Sequence, residues 1–124
     1  MKQNIIREKS YAFALRVINL VRWLRKQREY EIAGQLLRAG TSIGANVEEA
    51  SAGISRADFV AKMSIASKEA REVHYWLRLL RDSKIVPLKQ ADSFIDEAEE
   101  LLRILTAIVK TTQSNQNSKF KIEN

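Results

Sequence analysis

The sequence predicts an all-α protein, an antiparallel up-down bundle of four helices. Three observations carry that prediction. The 124-residue chain has only 1 Pro and 4 Gly, so little interrupts a helix. Apolar residues recur at helical spacing over most of its length. The clearest punctuation, Gly53-Ile54-Ser55-Arg56-Ala57-Asp58-Phe59, combines a helix stop with a helix start. The length fits one domain, since a chain of this size buries roughly two-thirds of its unfolded surface around one core. We expect that domain over residues 1–112 and a disordered polar tail over 113–124, where the periodicity ends.

The first helix, about residues 5–27, buries Phe13, Val17, Leu20, Val21 and Leu24, with Asn4 or Ser10 as candidate caps. The second, about 30–52, buries Ala33, Leu36, Ile43, Val47 and Ala50. Gly40 and Gly44, one turn apart, imply close backbone approach or a bend, because glycine in a helix costs about 0.5–1 kcal/mol relative to alanine. At the following reversal, Gly53 suits a left-handed helix end. Ser55 and Asp58 stand as N-cap and N3 acid, and Ile54 and Phe59 form a hydrophobic staple. The third helix carries the seam Phe59, Met63, Ala66, Ala70, Val73, Leu77, Leu80, alternating steps of four and three as packed rods require. The fourth opens at Pro87 and repeats the pattern with Leu88, Ala91, Ile95, Ala98, Leu102, Leu105 and Val109, while Phe94, Leu101 and Ile108 widen its apolar face.

Catalytic and metal chemistry find little footing. With no Cys there is no disulfide, thiolate site or thiol nucleophile. The one histidine, His74, has Arg71 three residues before it, so the Glu-x-x-His pair of a di-iron bundle cannot be written. His74 is the sole candidate base for a Ser-His-Asp set, and it flanks the seam next to Val73. The Arg that nucleases of the HEPN type place upstream of their His is missing at Ser67, Lys68 and Glu69. Asp92, Asp96, Glu99 and Glu100 near the start of a helix suit its dipole better than a paired acid–base role. We expect no catalytic residue, metal or cofactor. With no apolar run of membrane-spanning length and no signal-peptide core, a soluble cytoplasmic domain is expected.

Surface features remain. Net charge is +6, with eight basic and two acidic residues among the first thirty. On the third helix, Lys68, Arg71, Tyr75 and Arg78 share a flank away from the seam, two turns of cations with an aromatic among them, as phosphate neutralisation and base stacking require. Glu69 and Glu72 are the intrahelical partners that would instead neutralise Lys68 and Arg71. The first helix adds Arg16, Arg22 and Lys26 on its polar side. A second anomaly is apolar: Leu15 and Trp23 project from the polar face of the first helix, and Ile65, Trp76 and Leu79 lie opposite the seam of the third. They mark a self-association surface, or else a second neighbour within the same bundle.

From Gln35 the chain reads QLLRAGTSIGANVEEASAGISRADFVAKMSIASKEAREVHYWLRLL. It resembles the four-helix-bundle proteins encoded by intervening sequences of bacterial 23S ribosomal RNA, the S23 ribosomal proteins. The matching positions are Gln35, Arg38-Ala39, Ser42-Ile43, Ala45-Asn46, Glu49, Asp58-Phe59 and Ile65-Ala66-Ser67 with Glu69. Gly44 stands where Pro is frequent and Ala50 where Gly is usual, so a kink there would be milder. The family also includes accessory proteins of diversity-generating retroelements. The resemblance implies a homopentameric ring without enzymatic activity, binding nucleic acid through a basic surface and, in the retroelement branch, a reverse transcriptase. The motif stripe Gln35, Arg38, Ser42, Asn46 and Glu49 is expected opposite the apolar face of the second helix, with its polar atoms partnered if it is buried between subunits.

Overall fold

In the computed structural model the backbone is described for residues 2–53 and 55–123, and side chains for 4–53 and 55–115. Four helices follow one another: α1 (Lys2–Lys26), α2 (Tyr30–Ser51), α3 (Arg56–Asp82) and α4 (Leu88–Glu123). Each packs on its neighbours in sequence, and α1 meets α4 more sparsely. Among the described residues the backbones of α1 and α3, and those of α2 and α4, nowhere approach within 8 Å between Cα atoms, so these pairs are diagonal. Short connections make successive helices antiparallel. The α1–α2 and α3–α4 turns therefore share one end of the bundle, and the α2–α3 turn occupies the other.

One apolar cluster fills the interior, and the seams predicted for α1, α2 and most of α3 are buried in it. On α4 the buried line is Ala91, Phe94, Ala98, Leu101, Leu105, Ile108, with Ile95 beside it, while Leu88 is 65% exposed and Leu102 and Val109 are partly buried. The face is rotated from the predicted one because α4 packs on α1 as well as α3. Phe13 and Phe94 meet edge to face across that seam, with ring centroids 6.4 Å apart. Gly40 brings α2 against Val17 of α1 without breaking the helix.

The helix ends differ in several ways from those predicted. α1 starts at Lys2, so neither Asn4 nor Ser10 caps it; Ser10 is buried and its hydroxyl donates to the Arg7 carbonyl at 3.2 Å. Ser55 does cap α3, accepting from the Asp58 N–H at 3.1 Å. Gly53 keeps a negative φ; its would-be Cβ stands 3.1 Å from the Ala50 carbonyl oxygen, a tight approach instead of a left-handed turn. The staple partner Ile54 lies outside the described residues. Pro87 precedes α4, and its carbonyl accepts from the Ala91 N–H at 2.9 Å. α4 runs on to Glu123, because nothing after Pro87 is a Gly or Pro that would stop it.

Candidate functional site

On α3, Lys68, Arg71, Tyr75 and Arg78 are all exposed. The Arg78 guanidinium lies 5.8 Å from the Tyr75 ring centroid, and Tyr75 meets Trp76 edge to face at 5.4 Å. The intervening acids face another way. Glu69 pairs with Arg38 of α2 at 3.3 Å, and Glu72 pairs with the same guanidinium while accepting from the Trp76 indole N–H at 3.0 Å. Among the described residues no carboxylate pairs with Lys68, Arg71 or Arg78. The intrahelical neutralisation that the sequence allowed is thus diverted into the α2–α3 seam.

The α1 cations divide. Arg22 and Lys26 are exposed and without a described ion pair. Arg16 instead clamps α1 to α4: it pairs with Glu97, donates to the Ser93 hydroxyl at 3.2 Å and sits 4.1 Å above the Phe94 ring. It is a packing residue, which sequence reasoning missed because its partners lie about eighty positions away. Since α1 and α3 are diagonal in the bundle, the seven predicted contact residues do not form one continuous patch.

The off-seam apolar residues fall on different sides. Trp23, 38% exposed, lines a pocket of about 400 Å³ between α1 and α4 with Leu20, Val86, Pro87 and Phe94. Ile65 and Leu79, each 40% exposed, and the half-buried Trp76 lie on the side of α3 that faces α2. Leu15 is half exposed on α1. The motif stripe is not opposite the α2 core face but on its α3-facing flank. Arg38 reaches Glu69 and Glu72, Glu49 meets Lys62 at 3.0 Å, and the Asn46 amide donates to the Ser42 carbonyl at 2.9 Å and its hydroxyl at 3.0 Å. Gln35 is exposed at its end. Gln35 apart, the stripe finds its partners inside one chain: Arg38 and Glu49 meet opposite charges on α3, and Asn46 bonds Ser42 along α2 itself.

Two further contacts join α3 to α4. His74 Nε2 lies 2.9 Å from Glu99, and Arg81 bridges Asp82 at 2.8 Å and Asp92 at 3.4 Å. The hydrogen bond from Arg81 holds the Asp82 carboxyl below its ordinary range, and the same bond raises the guanidinium. Among the described residues no three His, Cys, Asp or Glu side chains gather as a metal set, and no helix is long and apolar enough to cross a membrane.

These features define a small four-helix bundle that exposes unpaired cations on α1 and α3 and whose apolar surface is split between two sides. The chain belongs to the 23S rRNA-intervening sequence protein family, which it matches over residues 2–107. It is similar to a crystal structure of a protein of unknown function from the S23 ribosomal protein family of Bacteroides thetaiotaomicron VPI-5482, with 43% identity and a TM-score of 0.86. That match covers 89% of this chain and 99% of the other. No curated protein matches the chain.

Proposed function

We propose that this protein is a non-enzymatic, homo-oligomeric binder of nucleic acid working in the cytoplasm. The observation that carries the reading is the diversion of Glu69 and Glu72 to Arg38, which leaves Lys68, Arg71 and Arg78 exposed around Tyr75. Unneutralised cations beside an aromatic ring bind phosphates through counterion release and stack an unpaired base. Nothing in the arrangement reads base edges, so affinity follows backbone charge and shape.

Self-association is supported by the split of apolar surface. The α1–α4 pocket around Trp23 and the α2–α3 side bearing Ile65, Trp76 and Leu79 are opposite sides of the bundle, the arrangement that a head-to-tail contact needs to close a ring. Five subunits follow from the family resemblance. A ring also repeats each cationic flank, multiplying a weak contact.

Binding of a short RNA duplex, followed by anisotropy across salt concentrations, tests this reading. Affinity should fall steeply with salt, and Arg71→Glu with Arg78→Glu should weaken binding for every sequence tried. Absence of binding at low ionic strength would refute it. The second reading is a scaffold for a protein partner such as a reverse transcriptase, favoured by the exposed apolar residues Ile65 and Leu79 beside the basic flank. A pull-down that survives nuclease treatment would select it.

A further inference from the structure

We propose that the end of the bundle formed by the α1–α2 and α3–α4 turns is a second phosphate-binding site, a cationic rim that grips a nucleic-acid backbone across the end of the rods. The inference rests on the nucleic-acid reading above but assigns a site distinct from the α3 flank.

Arg28 and Lys84 both take a φ of 65°, and they are the only positive-φ non-glycine residues described; no glycine takes one. Each sits in the turn that ends a helix. After α1 the Arg28 N–H bonds the Arg25 carbonyl at 3.0 Å and the Glu29 N–H bonds the Leu24 carbonyl at 2.9 Å. After α3 the Lys84 N–H bonds the Arg81 carbonyl at 3.0 Å. A left-handed helix end is the position where glycine, or failing that asparagine, fits without strain. Here long cationic side chains hold it at both turns of one end, while the four glycines serve elsewhere. Backbone strain of this kind persists where the side chain is needed.

Their surroundings agree. Arg22, Arg25, Lys26, Arg28, Lys84 and Lys89 are exposed, and none has an ion pair among the described residues. At the other end the α2–α3 connection carries no cation before Arg56, and Arg7 and Lys62 are taken up by Glu48 and Glu49. Arg56, Arg103 and Lys110 remain exposed and unpaired toward that end, but unpaired cations are denser at the rim, where Arg81 takes up Asp82 and Asp92 and the acids Glu29 and Glu31 stand beside the six, so a polyanion is drawn there more strongly. Lys26 lies in the last turn of α1 and Arg78 one turn before the end of α3, so the rim adjoins both flanks that the bundle otherwise keeps apart.

Arg28→Gly with Lys84→Gly tests this, because it removes both cations while relieving the strain. The full-length double variant should melt a few degrees higher than the native protein. Its affinity for a fluorescent single-stranded RNA and for a hairpin RNA should nevertheless fall about tenfold or more at low salt. The slope of log affinity against log salt should shrink by about 1.5 as two phosphate contacts are lost. Arg28→Lys with Lys84→Arg should retain binding, and Arg56→Gln with Lys110→Gln, an equal charge loss at the opposite end, should keep the native slope. If the glycine variant binds with native slope while Lys68→Gln, Arg71→Gln and Arg78→Gln together abolish binding, the rim is not the site and the flank reading stands. If the native protein binds neither RNA, both readings fall.

Discussion

Gly40 of α2 stands so close to Val17 of α1 that a Cβ on it would lie 2.7 Å from Val17 Cγ1. Valine is stiff at χ1 within a helix, so the neighbour cannot simply turn away. Gly40→Ala should therefore destabilise the fold by about 1–2 kcal/mol, the overpacking cost exceeding the gain in helix propensity. Gly44→Ala should do the reverse, since its Cβ would meet Ser10 at ordinary contact, 3.5 Å from the carbonyl oxygen and 3.6 Å from Oγ. Denaturant midpoints of the two variants should move in opposite directions, and adding Val17→Ala to Gly40→Ala should recover part of the loss.

Removing Arg38 should act on binding from a distance. Arg38→Ala leaves Glu69, whose side chain is only 12% exposed, without its cation, which should cost about 1–3 kcal/mol of stability. It also frees Glu72 to face Lys68, four positions before it on the same helix, and leaves the Glu69 charge unpaired beside the flank. RNA affinity should fall although Arg38 itself is no proposed contact. Adding Glu69→Gln and Glu72→Gln should restore it.

Arg16→Gln should separate packing from binding. The Glu97 pair, the Ser93 hydrogen bond and the stacking on Phe94 are lost together, so stability should drop by about 1–2 kcal/mol. RNA affinity at temperatures well below the melting transition should stay within about twofold of native, since no phosphate contact is removed.

Ile65→Asp with Leu79→Asp places charges on the apolar α2–α3 side without touching the buried core. Light scattering should then report the 14.2 kDa protomer, against a multiple of it for the native chain. Trp23→Asp, altering the opposite side, should dissociate the same assembly, and an unchanged mass in both variants would contradict head-to-tail association.

Much of this architecture is legible in the sequence because a helix records its buried face every three or four residues. Phe13 to Leu24, Ala33 to Ala50 and Met63 to Leu80 are buried where that rule puts them, and Ser55 caps α3 through the Asp58 N–H. What misleads is contact between distant segments. Two apolar registers overlap on α4, and only packing on α1 chooses Phe94, Leu101 and Ile108 over Leu88, Leu102 and Val109. The candidate site was half legible: the exposure of Lys68, Arg71 and Arg78 follows from helical projection. Whether nearby acids neutralise them depends on Arg38, some thirty residues earlier. Arg28 and Lys84 escaped because nothing local marks a cation as left-handed where glycine is the ordinary signal.

The sparse α1–α4 seam has a consequence for how the molecule assembles and breathes. Each of the other seams joins helices adjacent in sequence, so hairpins can zip locally at small entropic cost, and closing the first helix on the last is the one step that must span the whole chain. That step should come late in folding and be the first undone. Amide protons along the facing sides of α1 and α4 should exchange with solvent sooner than those shared by α2 and α3.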